Sequence, residues 1–240
     1  MRVAVTRDEP DDGALHVALR DLGFDPVRCV VLEQHPPADT LALKAAADSL
    51  DEFDWVICAS VRAVKAIAGV RFRPWPAGVR TAAVGARTAD ALVNAGAVPA
   101  PIVGDGDGAD ALWAILSKQR WAGLRVLLPA DPGGRPLIGR SLREAGALVQ
   151  EIAAYRMLPR SDDHIRADWA EAKPDAVVIA SPRVAASLAA ALGVDALRAL
   201  RVIVAIGPST SAALTAAGIA HHVSPRADLV EAARVITFAS

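Results

Sequence analysis

The chain is poor in aromatic residues and has almost no net charge. Aromatic side chains make up 4% of its 240 residues, and the formal net charge is −1. Proteins that bind nucleic acid usually offer a basic excess to the phosphates or aromatic rings to the bases. We therefore expect no nucleic-acid partner.

Cysteine is scarce, and no apolar run is long. The two cysteines, Cys29 and Cys58, each lie inside a short apolar segment, which favours buried, reduced thiols over a disulfide or a ligand pair. The first residues turn charged at Arg7, Asp8 and Glu9, so they do not form the apolar core of a signal peptide. No stretch approaches the roughly 20 apolar residues of a membrane-spanning helix. These features predict a cytoplasmic protein without a membrane partner.

The motifs of several common sites are also missing. The histidines show no spacing that would hold a metal ion. The glycine-containing segments fit neither the P-loop nor the dinucleotide-binding fingerprint. No serine lies in a nucleophile elbow, and the acidic residues do not suggest a catalytic pair. We expect no metal and no organic cofactor, and an enzyme with this sequence would lack an obvious acid–base pair.

Short apolar segments alternate with amphipathic helical segments along the whole chain. This alternation is typical of α/β proteins, and solid apolar blocks are typical of parallel strands covered on both faces. The predicted strands are 2–6, 26–32, 54–59, 80–84, 124–128, 147–153, 175–180, 201–206 and 221–223, with a weaker segment at 97–103. The Gly- and Asp-rich segment 104–108 is predicted to be a loop before a helix over 109–116, and Arg135 to lie in a surface turn.

Several helix ends can also be predicted. Asp11 or Asp12 is predicted to cap the first helix, and Arg87 or Thr88 to open a later one. Pro182 stands where a proline in the first turn is favourable. These helices would cover the faces of the predicted sheets.

Three motifs occur twice along the chain. Residues 54–60 resemble 175–181, residues 83–89 resemble 205–211, and Arg2 with its strand resembles Arg125 with its own; the offsets lie between 121 and 123 residues. A near-constant offset indicates a duplicated half with about five strands. We predict two similar lobes, each a flavodoxin-like parallel five-stranded sheet flanked by helices.

Proline-bearing segments mark two crossings between the halves. Residues 33–38 and 155–162 are the predicted linkers. Together with the duplication, they predict a discontinuous first lobe, residues 1–35 plus 165–240, and a second lobe, residues 38–155. We expect a monomer.

Hydroxyl residues and glycines follow four of the predicted strands. They are Ser60, Ser181 and the segments 85–88 and 207–210. Ligands of parallel α/β sheets bind beyond the carboxyl ends of the strands, and free N–H groups at helix starts favour anions. The alternative is that Ser60 and Ser181 only cap helices. The positions favour one anionic ligand.

Tyr155 is the only tyrosine, and it lies where a predicted strand leaves one lobe for the second linker. One interpretation is an amphipathic side chain that shields a hinge. The other is a phenol that reaches into a cleft as a hydrogen-bond donor or weak acid. The residues alone do not decide between the two.

The ordered set of motifs resembles the uroporphyrinogen-III synthase family of tetrapyrrole biosynthesis. The matching segments are Val5-Thr6-Arg7, residues 54–60 with 63–64, residues 83–89, Leu127-Leu128-Pro129, residues 146–149 through 155–156, Ser181-Pro182 and residues 205–210. They cover nearly the whole chain in the family's order. The family's first loop usually reads Thr-Arg-Pro, whereas Arg7 is followed here by Asp8, Glu9 and Pro10.

The resemblance implies two α/β lobes with a two-stranded linker, and cofactor-free closure of linear hydroxymethylbilane to uroporphyrinogen III in the cleft between the lobes, with inversion of the last pyrrole ring and loss of water. By the same resemblance, Tyr155 is the family's cleft tyrosine, which helps the hydroxyl to depart. The implied substrate-binding residues are Thr6, Arg7, Ser60, Gly85, Arg87, Thr88, Ser181, Pro182, Gly207, Ser209 and Thr210. The alternative is a non-catalytic or regulatory module of the same fold that binds a tetrapyrrole or another polycarboxylate.

Overall fold

A computed structural model of the chain describes residues 1–98, 100–104, 108–134 and 137–239. The strands are β1 (Arg2–Val5), β2 (Asp25–Arg28), β3 (Leu32–His35), β4 (Trp55–Cys58), β5 (Arg80–Ala83), β6 (Ile102–Val103), β7 (Arg125–Ala130), β8 (Leu148–Ala153), β9 (Arg156–Pro159), β10 (Ala176–Ile179), β11 (Val202–Ala205) and β12 (His222–Val223). The α-helices are α1 (Ala14–Asp21), α2 (Thr40–Asp48), α3 (Val61–Val70), α4 (Ala86–Asn94), α5 (Gly108–Leu116), α6 (Leu137–Glu144), α7 (Asp162–Ala172), α8 (Pro182–Leu192), α9 (Val194–Arg198), α10 (Pro208–Ala216) and α11 (Leu229–Ala239). Residues 105–107 of the predicted loop, and Arg135, lie outside the described residues.

The strands form two parallel five-stranded sheets and one two-stranded sheet. The five-stranded orders are β12-β11-β10-β1-β2 and β6-β5-β4-β7-β8, and β3 pairs with β9. The predicted fold class, α/β with two parallel five-stranded sheets flanked by helices, is confirmed.

The chain divides into two compact units. The first unit comprises Met1–Glu33 and Leu158–Ser240, and the second comprises Gln34–Met157. Each contains one five-stranded sheet.

The sheet of the first unit is buried because its central strands are apolar at every position. All residues of β10 and β11 are buried. One face packs against α1 and α11 through Leu15, Leu19 and Ile236. Helices α8 and α10 contact each other as well as β10 and β11. A strand covered on both faces has no reason to alternate apolar and polar residues, which explains the solid blocks in the sequence.

The sheet of the second unit separates two apolar clusters. Alternate residues of β4 face opposite sides of a sheet, so Val56 and Cys58 join the cluster with α2, α3 and α4, whereas Trp55 and Ile57 join the cluster with α5 and α6. The Trp55 and Trp121 rings lie 5.2 Å apart in the latter. The two clusters hold helices against both faces of the sheet, and the candidate site residues of this unit follow its strands.

Equivalent strands lie in the same places in the two sheets, but they follow one another in a different order along the chain. Numbered along the chain, the strands of the first unit follow the flavodoxin-like order 2-1-3-4-5. Those of the second unit follow 3-2-1-4-5. The repeated motifs lie on equivalent strands, because β4 corresponds to β10, β5 to β11 and β7 to β1. The second unit is therefore a circular permutation of the first.

The single strand predicted over residues 26–32 is wrong. Strand β2 ends at Arg28, and β3 begins at Leu32 in a different sheet. Between them, the N–H groups of Cys29 and Val31 still donate to Val5 and Thr6. Residues 29–32 are uniformly apolar, and such a run does not show at which residue the chain passes from one sheet to the other.

Two predicted helix starts are also wrong. Gly13 occupies the N-cap of α1 in place of Asp11 or Asp12. Gly85, rather than Arg87 or Thr88, occupies the N-cap of α4. In both cases the N-cap is a glycine, which has no side chain to accept a hydrogen bond from the first N–H groups of the helix.

Candidate functional site

The sequence-predicted residues lie at the carboxyl ends of the two parallel sheets. Strand connections leave in opposite directions from β1 and β10 in the first unit, and from β7 and β4 in the second. Such a switch point leaves a crevice at the carboxyl edge where ligands of open α/β sheets bind. Ser60 and Ser181 directly follow β4 and β10 at these points.

In the second unit, Ser60 and Tyr155 are brought together. Ser60 is the N-cap of α3, and its Oγ accepts a hydrogen bond from Ala63 N–H at 3.2 Å. The same Oγ lies 3.0 Å from the phenolic oxygen of Tyr155, 95 residues away in the chain. The Tyr155 side chain is 9% exposed and belongs to the apolar cluster around α3. Packing therefore fixes the ring, and the serine fixes its hydroxyl.

The backbone around Tyr155 is held by the end of β7. Ala154 N–H donates to Ala130 O at 2.9 Å, which extends the pairing of β8 with β7 by one residue. Beyond the tyrosine, Met157 N–H donates to Asp131 Oδ1 at 3.4 Å. Sequence reasoning did not single out Asp131, because the contact joins two distant segments.

The second helix start in this unit is Gly85–Thr88, where α4 begins. Gly85 has extended backbone, and no side chain caps α4. Arg87 is exposed, whereas Thr88 is 6% exposed. Of these three residues, Arg87 is the one with a charged side chain in solvent.

In the first unit, the switch point places Thr6 next to β10. Thr6 is buried, and its Oγ1 donates to Val178 O at 3.2 Å. Ser181 caps α8 by accepting from Val184 N–H at 3.2 Å, and Pro182 is the first residue of that helix. The Thr6 hydroxyl thus ties β1 to β10, and the Ser181 hydroxyl supports a helix start.

The last predicted segment, Gly207–Thr210, opens α10. Gly207 is its N-cap, with extended backbone, and Ser209 is exposed. Thr210 has no exposed surface, and its Oγ1 has no hydrogen-bond partner within the described ranges. Buried hydroxyls without partners are unusual, so this one calls for an explanation.

Arg7 follows β1 and meets Glu9, which sequence reasoning noted only as a departure from the family's usual loop. Arg7 Nε lies 3.9 Å from Glu9 Oε2, and the side chains are 39% and 10% exposed. The only sign of this contact in the sequence was an acidic residue, Glu9, four positions before Gly13. Without the fold, nothing showed that it would turn back onto α1.

The thiols near the site are chemically quiet. Burial raises the pKa of Cys58, two residues before Ser60, to about 12. Burial, and secondly the charge of Asp168, raises the pKa of Cys29 to about 12 as well. Since the thiolate is the nucleophilic form, neither cysteine serves as a nucleophile near neutral pH.

Neither a metal cluster nor a spanning helix occurs in the described part of the chain. No group of three or more His, Cys, Asp or Glu side chains is placed to hold a metal ion there. None of the described helices combines the length and the apolar character needed to cross a membrane. The candidate sites thus consist of hydroxyls, backbone N–H groups and arginines.

The fold defines a class: an α/β protein of two units, each with a parallel five-stranded sheet that carries hydroxyl residues and helix starts at its carboxyl edge. The family model described as uroporphyrinogen-III synthase HemD matches residues 13–232. The chain belongs to this family.

Named relatives agree with this assignment. The chain is 30% identical over 164 residues to uroporphyrinogen-III synthase of Synechococcus elongatus, and the match covers 64% of the chain and 59% of the relative. It is 32% identical over 173 residues to the synthase of Salmonella typhimurium, with 68% of each chain covered. A solved structure of uroporphyrinogen III synthase from Thermus thermophilus has a TM-score of 0.62 at 21% identity, covering 99% of this chain and 98% of that one. The structural likeness supports the fold.

Proposed function

We propose that this protein converts linear hydroxymethylbilane into uroporphyrinogen III, with inversion of the last pyrrole ring and loss of water. The family match over residues 13–232 carries the proposal. The relatives named above are synthases, so the alternative of a non-catalytic module is not favoured.

The pair of Ser60 and Tyr155 supports a role in the departure of the hydroxyl. Ser60 Oγ accepts from Ala63 N–H, so its own hydrogen can be donated to Tyr155. The phenolic hydrogen is then available to the substrate hydroxyl, and donors in such a chain polarise one another. The bond between carbon and oxygen breaks with its electron pair on oxygen, which takes a proton and leaves as water. The carbon that loses the hydroxyl forms a new bond to a carbon of the last pyrrole ring, and that ring then releases one proton, which replaces the proton that water carried away.

The remaining residues are proposed to select the carbon that attacks. The substrate is a polycarboxylate, and arginines and helix N-termini are favourable partners for carboxylates. We assign this role to Arg7 and Ser181 of the first unit and to Arg87 and Gly85 of the second, together with the other residues of the resemblance. Holding both ends of a reacting chain can contribute most of the selectivity when the closure itself is facile.

The test is turnover of freshly generated hydroxymethylbilane, with type I and type III products resolved by chromatography. We expect type III product from protein dialysed against a strong chelator, since we propose that no metal or organic cofactor takes part. If the protein yields type I product alone, as the substrate does without protein, the proposal is overturned. Activity that is lost on dialysis and restored by a metal would overturn its cofactor-free part.

We also propose that the enzyme acts as a cytoplasmic monomer, without nucleic acid, and that the two compact units are separate domains. Two buried free thiols suit a reducing compartment, and a net charge of −1 offers little attraction to phosphates. A molar mass of 24.9 kDa by light scattering is the expected value for the monomer.

A further inference from the structure

The loop after β1 carries a carboxylate that is folded back into the protein. Glu9 Oε1 accepts hydrogen bonds from the backbone N–H groups of Leu15 and His16, both at 3.2 Å. It also lies 3.1 Å from Nδ1 of His16, whose side chain is 2% exposed. Because an ionised carboxylate only accepts, the hydrogen of this bond lies on Nδ1. Three donors therefore converge on one oxygen of Glu9.

Gly13 makes room for this arrangement. A Cβ atom at Gly13 would lie 2.8 Å from Glu9 Cδ and 2.8 Å from Pro10 O. Both distances are far below van der Waals contact. The glycine at the N-cap of α1 is thus required both by the inward carboxylate and by the backbone at Pro10. Glu9 replaces the side-chain cap that Gly13 cannot provide.

The second oxygen of Glu9 faces the candidate substrate residue. Glu9 Oε2 is 3.9 Å from Nε of Arg7, while the first oxygen is held by α1. Glu9 thereby links Arg7 to the start of α1, with one oxygen bound by the helix and the other paired with the guanidinium. The N-terminus of α1 is at the same time already occupied by a negative charge of the protein itself, so it is not available to a substrate carboxylate.

We propose that Glu9 is a positioning residue that holds the Arg7 guanidinium in the orientation that binds a carboxylate of the substrate. This inference rests on the proposed function. An arginine that is ordered before binding loses less side-chain entropy when it forms its bonds, so the benefit falls on substrate affinity. The reacting hydroxyl is not touched, and the turnover number should stay nearly constant.

Glu9→Gln separates positioning from folding. The amide oxygen can still accept from the donors of α1, whereas the amide NH2 that replaces Oε2 repels Arg7. We expect KM for hydroxymethylbilane to rise roughly 2- to 10-fold, the range for ordering one long side chain, with kcat within twofold of wild type. In an Arg7→Ala background, the same substitution should leave KM unchanged, because the residue through which it acts is gone.

Asp228→Asn is the matched control. Asp228 Oδ1 accepts from Val230 N–H and Glu231 N–H at 2.9 Å, so it caps α11 of the same unit as Glu9 caps α1. Its KM should equal that of wild type. Gly13→Ala provides a second route, since its Cβ would displace both the carboxylate and the backbone at Pro10 without changing the charge, and it should also raise KM.

Two outcomes would overturn the inference. One is a wild-type KM in folded Glu9→Gln protein. The other is an equal rise of KM for Glu9→Gln with and without Arg7, which would show that Glu9 acts through the fold. Failure of the proposed function is distinguished by the wild-type protein, which would then form no type III product at all.

Discussion

Ser60 and Ser181 occupy equivalent places in the duplicated units, yet their hydroxyls have different surroundings. Both follow a buried strand, have nearly the same backbone angles and accept a cap bond of 3.2 Å. Ser60 in addition contacts the phenol of Tyr155. The Ser181 hydroxyl accepts from its own helix. The two units thus contain the same local structure, and Tyr155, between β8 and β9, gives the hydroxyl of Ser60 an additional partner.

The largest expected effect comes from removing that partner. Tyr155→Phe keeps the packed ring and deletes the hydroxyl, so kcat should fall by about 10- to 1000-fold. The free energy of unfolding should fall by only about 1 kcal/mol, the usual loss for one hydrogen bond. Stopped assays with hydroxymethylbilane and urea denaturation measure the two quantities. Wild-type turnover in this variant would reduce Tyr155 to a packing residue and remove the functional contrast between the units.

A smaller effect is expected from the serines, and it tests the contrast directly. Ser60→Ala and Ser181→Ala each delete one cap bond, so both should lose about 1 kcal/mol of stability. Ser60→Ala also frees the Tyr155 hydroxyl, and we expect its kcat to fall about tenfold. For Ser181→Ala we expect a smaller fall that appears in KM, as befits a residue proposed to bind substrate. Equal losses of kcat in the two variants would contradict the assignment of Tyr155 and Ser60 as a pair.

The smallest effect concerns Thr88 and Thr210, which lie three residues after equivalent glycines. Neither caps its helix, so a substitution there removes no capping bond. Thr210→Val keeps the shape and removes a buried hydroxyl without a described partner, which should leave stability unchanged or raise it by about 1 kcal/mol. If substrate binding engages this hydroxyl, Thr88→Val with Thr210→Val should raise the share of type I product while the protein stays folded by circular dichroism. An unchanged product ratio would leave both threonines with packing roles.

The central strands of the two five-stranded sheets were predictable because their chemistry is local, whereas β3 and β9 lie largely in the segments predicted as linkers. A strand covered on both faces, such as β10 or β11, must be apolar throughout, and that run is visible in one dimension. The duplication was visible for the same reason, since its matches keep a nearly constant offset. The change of sheet between Arg28 and Leu32 was not, because nothing in an apolar run records which neighbour it pairs with.

The site was predictable in its positions and not in its contacts. Hydroxyls after strand ends could be located from the sequence, but the partner of Ser60 is 95 residues away. The role of Glu9 depends on a helix folding back onto it and on the space left by Gly13. Helix capping by a residue outside the first turn has no fixed spacing, so the sequence favoured Asp11 or Asp12 instead.

The permuted strand order has a consequence for synthesis on the ribosome. The second unit is continuous in the chain, so all its strands emerge together. The first unit begins with β1 and β2, which must wait for β10 through the whole translation of the second unit. During that interval the edge of β1 that later pairs with β10 is unpaired and an apolar face is uncovered, the kind of surface that chaperones recognise. Slow elongation through residues 34–157 should therefore lengthen the period in which the early segment can associate wrongly.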